Sequence, residues 1–260
     1  MLAEQRRIKI LELICEEGSA KVKKLSALFS VSSQTIRQDL EILSRSEPIV
    51  RDYGGAYLKS IPRQVLSLTL QHSENMNMKE VIAREAVRHI RDRESLILDC
   101  GSTVTEIAKL LTLRSELKIV TNALNIALII GSVPGFELLV SGGMFKPPTL
   151  SLTGDKAEEF FSQIHVDTLF LATGGISNDY HLTYPGLNDL PIKRAMLKAA
   201  GRTFLVADST KFHKPSLLSL GSIDMVDTLI TDDGIDIEDA KIIEDLGVEI
   251  IVAHENKLEE

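Results

Sequence analysis

The stretch Val31-Ser32-Ser33-Gln34-Thr35-Ile36-Arg37-Gln38-Asp39-Leu40 has the pattern of a short amphipathic helix. Either of its serines can cap the N-terminus. Apolar side chains recur at helical spacing at Ile36, Leu40 and Leu43, and we expect only these to be buried. The opposite face carries polar side chains that can contact base edges or phosphates, namely Ser33, Gln34, Arg37 and Gln38. The pattern is typical of the recognition helix of a helix-turn-helix.

Two further helices are predicted before this stretch. Residues 3–16 place their apolar side chains on one face, and the segment Lys21–Phe29 exposes its lysines while burying Val22, Leu25 and Leu28. A tight turn then leads into the recognition helix. Two short helices joined by a short turn and braced by an earlier helix form a helix-turn-helix.

A small wing is predicted after the recognition helix. Gly54-Gly55 lies between two apolar runs in residues 48–58, which predicts a two-stranded hairpin with Arg51 at its tip or flank. Arg51 is either a solvated surface charge or a contact to the DNA backbone or minor groove, and its neighbours favour the second interpretation. The candidate DNA-binding residues are Lys21, Lys24, Ser32, Ser33, Gln34, Thr35, Arg37, Gln38 and Arg51.

The charge is unevenly distributed between the two ends of the chain. The net charge of −8 argues at first against a nucleic-acid partner, because non-specific affinity for DNA depends on neutralising phosphates. Residues 1–60, however, hold ten Lys or Arg against eight Asp or Glu, and the remaining residues hold 19 against 29. The basic share therefore accompanies the predicted recognition helix, although an excess of +2 is weak evidence by itself.

The composition is that of an ordinary globular protein, with 44% hydrophobic and 25% charged residues. We expect no membrane partner and a cytoplasmic location, because long apolar runs and a signal-peptide pattern are missing from the sequence. Cys15 and Cys100 are interpreted as small buried residues rather than as a disulfide or a metal pair. The six histidines are scattered without ligand spacing, so we expect neither a metal nor a cofactor.

Residues 3–58 are predicted to form the DNA-binding domain, residues 59–78 a linker, and residues 79–260 a larger α/β domain. In the α/β domain, helical and strand patterns alternate, which indicates a mostly parallel sheet covered on both faces. The predicted helices cover residues 79–91, 103–111, 123–130, 155–163, 189–200 and 237–246. The predicted strands cover residues 95–98, 117–121, 136–140, 166–171, 203–207, 227–231 and 248–252.

Small polar residues follow several of the predicted strands. Ligands of parallel sheets bind beyond the carboxyl ends of the strands, and hydroxyls and backbone N–H groups at a helix start can hold a phosphate. These loops indicate an anionic, hydroxyl-rich ligand the size of a sugar phosphate. Ser102 could equally cap its helix, and the pattern around Lys193 slightly favours a surface lysine over a phosphate contact. The candidate effector-binding residues in these loops and near them are Asp99, Gly101, Ser102, Thr103, Thr105, Thr121, Asn122, Asn125, Gly142, Gly143, Gly174, Gly175, Lys193, Asp208 and Lys211.

The chain resembles the DeoR family of bacterial transcriptional regulators over nearly its full length. The motifs that carry the resemblance are Arg6-Arg7, the recognition stretch 31–40, Gly54-Gly55-Ala56, Asp99-Cys100-Gly101-Ser102-Thr103, Thr121-Asn122-Ala123-Leu124-Asn125, Gly142-Gly143, Val166-Asp167, Lys193-Arg194-Ala195-Met196, Asp208-Ser209-Thr210-Lys211-Phe212 and Asp227-Thr228-Leu229-Ile230-Thr231-Asp232-Asp233. The resemblance implies a winged helix-turn-helix joined to a sugar-phosphate-sensing domain similar to ribose-phosphate isomerase. It also implies a homo-oligomer, a dimer or tetramer formed through the larger domain, and repression of a carbohydrate-use operon that a phosphorylated sugar relieves.

The chain departs from the family pattern at four places. Arg51-Asp52-Tyr53 replaces a basic, a hydrophobic and a histidine residue before the wing glycines. Ser177 stands where many members have an acidic residue, and Pro191 interrupts a helix start. Asp189 stands where members frequently have Glu, and it is a further candidate effector-binding residue. An isomerase needs a carboxylate to move a proton between neighbouring carbons. The alternative function is a sugar-phosphate isomerase with an accessory DNA-binding head. Because the carboxylate positions are altered, we expect no turnover of sugar phosphates.

Overall fold

The computed structural model describes residues 3–17, 19–46, 49–52, 54–58, 75–111 and 114–255. The chain divides into two compact units, Met1–Gln71 and His72–Glu260, and each is described by itself. Most of the segment predicted as a linker, residues 59–74, lies outside the described residues. Within the described ranges, no helix combines the length and the apolar character that crossing a membrane requires.

The first unit contains three helices and a small antiparallel sheet. Its elements are α1 (Ala3–Glu17), β1 (Ser19–Lys21), α2 (Val22–Phe29), α3 (Ser33–Ser46), β2 (Ile49–Asp52) and β3 (Gly55–Leu58). The predicted helix-turn-helix and hairpin are confirmed, but the sheet has three strands in the order β1-β3-β2. Lys21 was wrongly predicted as the first helical residue: it pairs with Gly55 at the end of β1, and the helix begins after it.

The core of this unit joins α1, α2 and α3. Ile36, Leu40 and Leu43 are buried as predicted. Leu28 was wrongly predicted to be buried and is 58% exposed. Phe29 packs against the core instead, because it follows Val22 by seven positions and Leu25 by four and so shares their helix face, whereas Leu28 follows Val22 by six. Asp39 is also buried, which the apolar pattern of α3 did not predict.

The second unit is built on a seven-stranded parallel sheet. Its helices are α4 (Met76–Arg88), α5 (Ser102–Leu110), α6 (Leu124–Ile130), α7 (Asp155–Ser162), α8 (Asp189–Ala199) and α9 (Ile237–Asp245). The strands of the large sheet are β4 (Ser95–Leu98), β5 (Lys118–Thr121), β6 (Glu137–Val140), β9 (Val166–Leu171), β12 (Ala200–Val206), β14 (Thr228–Asp232) and β15 (Glu249–Ala253). All six predicted helices and all seven predicted strands are present within a few residues of their predicted ends.

Five short antiparallel strands of this unit were not predicted. β7 (Met144–Lys146) pairs with β8 (Ser151–Thr153), and β10 (Gly175–Ile176), β11 (His181–Tyr184) and β13 (Leu218–Ser222) form a second small sheet. These strands have two to five residues, too few for a clear alternating pattern. They matter because β7 and β11 carry the side chains of Lys146 and Tyr184 into the site described below.

The strand order fixes where a ligand would bind. The large sheet runs β15-β14-β12-β9-β4-β5-β6, so the chain proceeds outward from β4 through β5 and β6 and then returns to the other side of β4 with β9. The direction of winding therefore reverses between β4 and β9. Ligands of open parallel sheets bind in the crevice outside the carboxyl ends of the strands at such a switch point.

Candidate functional site

The candidate DNA-reading surface lies on α3. Ser32 caps this helix, since its Oγ accepts a hydrogen bond of 3.1 Å from the backbone N–H of Thr35. Gln34, Arg37 and Gln38 are exposed on the side away from the core, whereas Ser33 and Thr35 are half-buried. The long polar side chains of α3 are therefore free of the core and point to one surface.

Basic side chains of the same unit surround this helix. Arg51 on β2 is exposed and lies 3.5 Å from Glu41 on α3, measured from guanidinium nitrogen to carboxylate oxygen. Lys21 and Lys24 are exposed at the start of α2. Because the pair between Arg51 and Glu41 is accessible to solvent, it is weak and can exchange for a phosphate contact.

In the second unit, the switch point holds a buried ion pair. Lys193 of α8 donates from Nζ to the carboxylate of Asp99, which follows β4, and the two residues are 3% and 0% exposed. Asp99 also accepts backbone hydrogen bonds from Cys100 at 2.7 Å and from Ala172 at 3.0 Å. The carboxylate therefore ties together the loops after β4 and β9. The interpretation of Lys193 as a surface lysine is wrong, because Asp99, distant in sequence, compensates its buried charge.

Two further side chains lie close to the Lys193 ammonium. The ring of Tyr184 lies 5.5 Å from Nζ, and the Sγ of Cys100 lies 3.6 Å from it. Burial by itself lowers the pKa of Lys193, but Asp99 and then its other neighbours raise it, and the net change is upward. Burial raises the pKa of both the Cys100 thiol and the Tyr184 phenol. The site therefore contains a charged ammonium beside a neutral thiol and a neutral phenol.

A second ion pair lies at the start of α8. Lys146, the last residue of β7, donates to both carboxylate oxygens of Asp189 at 2.7 Å. The side chain of Lys146 remains 25% exposed, whereas that of Asp189 is 10% exposed. Gly186 covers the pair so closely that a Cβ there would lie 2.7 Å from an Asp189 oxygen and 2.9 Å from Nζ of Lys146. Sequence reasoning missed Lys146, because the hairpin that carries it has no clear pattern.

The loop after β4 begins α5 as predicted. Gly101 holds the cap position without a side-chain bond, so the capping alternative for Ser102 is wrong, and Ser102 remains half-buried. A Cβ on Gly101 would lie 2.6 Å from the Cβ of Ala172, so glycine permits the close approach of the two switch-point loops. Thr103 and Thr105 are buried, and Thr105 Oγ1 donates to the Gly101 carbonyl at 2.8 Å.

The loop after β5 contributes three of the predicted residues. Thr121 is fully buried and donates to the Leu98 carbonyl at 2.7 Å, which joins β5 to β4; its role in effector binding stays a prediction. Asn125 donates from Nδ2 to Thr105 Oγ1 at 2.9 Å. Asn122 donates to the Leu152 carbonyl at 3.2 Å, while its buried Oδ1 has no hydrogen-bond partner among the described residues. Such an acceptor is suited to a ligand hydroxyl.

The other predicted residues lie at more distant strand ends. Gly142 and Gly143 follow the edge strand β6, and Gly174 and Gly175 lead into β10 after the switch-point strand β9. Asp208 and Lys211 follow β12, on the far side of β9 from β4. Strand β5 lies between β6 and β4, and strand β9 lies between β12 and β4, so Gly142, Gly143, Asp208 and Lys211 do not follow either of the two switch-point strands.

Asp208 has its own local partners. It is fully buried, and its Oδ1 accepts hydrogen bonds from the Thr210 backbone at 3.2 Å and from Asn75 Nδ2 at 3.4 Å. These bonds tie the loop after β12 to the start of α4, while the buried Oδ2 of Asp208 has no hydrogen-bond partner among the described residues, and its effector-binding role stays a prediction. Asn75 was missed by sequence reasoning, because it lies within the segment predicted as linker.

The departure at Ser177 also has a structural consequence. The Ser177 hydroxyl donates to the carboxylate of Asp179 in the turn between β10 and β11, and Asp179 is exposed. This hydrogen bond lowers the pKa of the Asp179 carboxyl.

Among the described residues, no three His, Cys, Asp or Glu side chains group together as a metal site would require.

Comparison with protein families gives two matches, one for each unit. The profile described as "DeoR-like helix-turn-helix domain" matches residues 6–61, and the profile described as "DeoR C terminal sensor domain" matches residues 74–233. Together the two matches cover most of the chain. The second match includes the switch-point loops, the buried pair Lys193–Asp99 and the partly exposed pair Lys146–Asp189.

Relatives are similar over most of their length. The glycerol-3-phosphate regulon repressor of Escherichia coli (strain K12) is 33% identical over 235 residues, which cover 89% of this chain and 92% of the relative. The transcriptional repressor CsqR of the same strain is 30% identical over 253 residues, which cover 96% of each chain. Among solved structures, a D-ribose-5-phosphate isomerase in complex with phospho-erythronic acid is 17% identical, with a TM-score of 0.40, over 53% of this chain and 54% of the isomerase.

Proposed function

The chain belongs to the DeoR family of transcriptional regulators, and from this premise we propose that it represses a carbohydrate-use operon until a phosphorylated sugar binds its second unit. The observation that carries this proposal is the buried pair Lys193–Asp99 at the switch point beside the start of α5. Relatives add support, since one of them is a glycerol-3-phosphate regulon repressor. The place of action is the cytoplasm, where the operator DNA is.

The DNA-binding role is assigned to the exposed polar face of α3. Gln34, Arg37 and Gln38 read base edges, with Ser33 and Thr35 at the flank of the helix. Ser32, Lys21, Lys24 and Arg51 contact the phosphate backbone and set the position of the helix. This assignment is supported by the exposure of Gln34, Arg37 and Gln38 and by the exposed basic side chains of the same unit at Lys21, Lys24 and Arg51.

The effector-binding role is assigned to the loops at the switch point. The phosphate binds at the N-terminus of α5, where Ser102 and the first backbone N–H groups offer donors. Lys146, which remains partly exposed, supplies a cation, and Lys193 supplies a second cation from a fixed position. Sugar hydroxyls meet the unpartnered Oδ1 of Asn122 and the side chain of Asn125. We assign Gly174 and Gly175, which follow β9, to the same site. Thr103 and Thr105 stabilise the loop at the start of α5.

We propose that this site binds a sugar phosphate without converting it. Proton transfer between neighbouring carbons needs a carboxylate that is available as a base. Asp99 and Asp189, the two carboxylates assigned to the site, each hold a lysine ammonium. Ser177 replaces the acidic residue of many family members. The isomerase alternative therefore receives no support from the geometry.

Release from DNA follows from linkage between the two ligands. A sugar phosphate that binds one conformation of the chain more tightly lowers operator affinity by the ratio of its affinities for the two conformations. The chain acts as a dimer or tetramer, so that paired recognition helices meet half-sites about 34–36 Å apart or a multiple of that distance. Sedimentation of the full chain with and without operator DNA measures this stoichiometry.

A thermal-shift panel tests the effector assignment. The full chain is heated with triose, pentose and hexose phosphates, each beside its unphosphorylated sugar and beside inorganic phosphate. A ligand at a hundred times its Kd stabilises the folded state by about 2.7 kcal/mol. We expect at least one phosphorylated sugar to raise the midpoint while its unphosphorylated counterpart does not. Equal shifts with and without the phosphate would contradict the proposal.

A further inference from the structure

Arg6 of α1 and Asp39 of α3 form an ion pair inside the first unit. The Nε of Arg6 donates to Oδ2 of Asp39 at 2.7 Å, and the two side chains are 10% and 5% exposed. The other described ion pairs of α3 join Glu41 to Arg45 and to Arg51, and their side chains are 41–76% exposed. Solvent weakens such exposed pairs. Among the described ion pairs of α3, the pair between Arg6 and Asp39 is therefore the one that solvent weakens least.

A contribution to folding stability does not explain why Arg6 and Asp39 form a buried ion pair. Taking two charges out of water costs free energy that their attraction often fails to repay, and apolar replacements of similar size are frequently neutral or stabilising. The surrounding core, which includes Ile10, Ile14, Ile36 and Leu40, already joins α1 to α3. Hydrophobic contact is non-directional, whereas a hydrogen bond demands a defined distance and angle. The ion pair therefore fixes the orientation of α3 against α1, whereas the apolar core holds the two helices together.

The geometry of α3 makes its orientation matter. Asp39 follows Ile36 by three positions and precedes Leu43 by four, so it lies at the edge of the buried face. Gln34, Arg37 and Gln38 lie on the opposite side of the helix. With side-chain tips about 5–6 Å from the helix axis, a rotation of about 15° moves them by about 1.5 Å. A displacement of that size breaks a hydrogen bond to a base edge.

We propose that Arg6 is a positioning residue that fixes the rotation of α3 through Asp39 and thereby sets the sequence specificity of DNA binding. Arg6 acts from the interior of the unit and contacts no DNA. The inference rests on the proposed function, since it takes α3 to be the helix that reads the operator.

The bonding atom of Arg6 allows two matched replacements. The nitrogen that bonds Asp39 is Nε. Glutamine carries a donor, Nε2, at the same place along its side chain, and methionine carries a methyl group there. The double variant R6Q/D39N therefore keeps a neutral hydrogen bond, whereas R6M/D39L keeps apolar bulk and removes the bond. The variant Glu41→Gln removes the exposed pairs of α3 and serves as the control.

The test measures affinity of the full chain for two DNA duplexes by fluorescence anisotropy. One duplex is the operator recovered by in vitro selection with the wild-type chain, and the other has a random sequence. We expect R6M/D39L to lose operator affinity by about tenfold or more, as for the loss of one good base contact. Its affinity for random DNA and the salt dependence of that affinity stay unchanged. R6Q/D39N and Glu41→Gln keep the wild-type ratio of operator to random affinity.

Several results would overturn the positioning role. R6M/D39L could keep the wild-type ratio, or R6Q/D39N could lose it to the same extent. Affinities are compared at a temperature at which circular dichroism shows that each variant is folded. If R6M/D39L or R6Q/D39N folds at no temperature, the pair is needed for stability, and that result also overturns the positioning role. A wild-type chain without preference for any duplex would instead refute the proposed function itself.

Discussion

Lys193 and Asp99 form a buried ion pair across the point where the winding of the large sheet reverses. Asp99 also binds the backbone of both switch-point loops, so one carboxylate holds the ammonium and the loops together. The position of the lysine is therefore fixed before any ligand arrives. A preformed cation of this kind lowers the cost of ordering the site when an anion binds.

Replacement of Lys193 by methionine should destabilise the second unit strongly. Lys193→Met leaves the Asp99 carboxylate buried without its counter-ion, and breaking a buried pair in this way costs about 3–5 kcal/mol. Urea denaturation at neutral pH measures the change. Lys198→Met on the exposed side of the same helix is the matched control and should change stability by less than about 0.5 kcal/mol. A loss equal to that of the control would show that the pair does not contribute.

The same pair predicts a direction of pH dependence. The pKa of Lys193 is raised in the folded chain, so its contribution to stability is fully present below the unfolded value of about 10.4. Stability should then fall as the pH rises through that value toward the higher folded pKa. The difference between wild type and Lys193→Met should therefore stay constant from neutral pH to about pH 9 and shrink above about pH 10.4. A difference that shrinks already near neutral pH would contradict this assignment.

Removal of the Tyr184 hydroxyl should cost a smaller amount of stability. Its OH donates to the Ala172 carbonyl at 2.7 Å, which belongs to the loop after β9. Tyr184→Phe leaves that acceptor without this partner and should cost about 1–3 kcal/mol, measured by urea denaturation. Tyr57→Phe in the wing, where the residue is 44% exposed, is the control and should be neutral. An equal effect of the two substitutions would contradict the importance of this contact.

The exposed arginine of α3 should contribute both affinity and specificity for DNA. Arg37→Ala should reduce operator affinity by about 1–3 kcal/mol and relax the sequence preference at one position. Anisotropy titrations against single-base variants of the operator measure both effects. Arg45→Ala, at the C-terminal end of the same helix, is the control. Wild-type preference and salt dependence in Arg37→Ala would remove Arg37 from the DNA-reading surface.

A carboxylate at the start of α5 should prevent release from DNA. Ser102→Glu places a negative charge where the phosphate is proposed to bind, and the helix N-terminus stabilises it there. The variant should bind operator DNA normally and should no longer respond to the sugar phosphate that releases wild type. Ser132→Glu, in the exposed loop after α6, should respond as wild type does. Release of Ser102→Glu by the same sugar would show that the phosphate binds elsewhere.

Local patterns predicted the helices and strands well, because those elements repeat with a fixed period. The spacing of Ile36, Leu40 and Leu43 identified α3, and the alternation of helices and strands identified the parallel sheet. The short strands β7, β8 and β10 lack such a repeat. They pair with strands only five to nine positions away, but with two or three residues each they are too short to show an alternating pattern.

The candidate site was predictable in its loops and not in its ion pairs. Glycines and hydroxyls after predicted strands pointed to the carboxyl edge of the sheet, because their place in the chain order is visible in the sequence, whereas the strand order that defines the switch point is not. Lys193 and Asp99 are 94 positions apart, and Lys146 and Asp189 are 43 apart. A lysine in an amphipathic helix resembles a surface residue until its partner is known. The pair between Arg6 and Asp39 was hidden for the same reason.

Operator binding by the full chain with and without a sugar phosphate tests the central proposal most directly. The sugar is one that raises the midpoint in the thermal-shift panel, and anisotropy measures affinity for the selected operator and for random DNA. We predict that the sugar phosphate lowers operator affinity by about 5–150-fold, the usual range of coupling between sites. Operator affinity that stays unchanged while the sugar phosphate is bound would contradict the proposal.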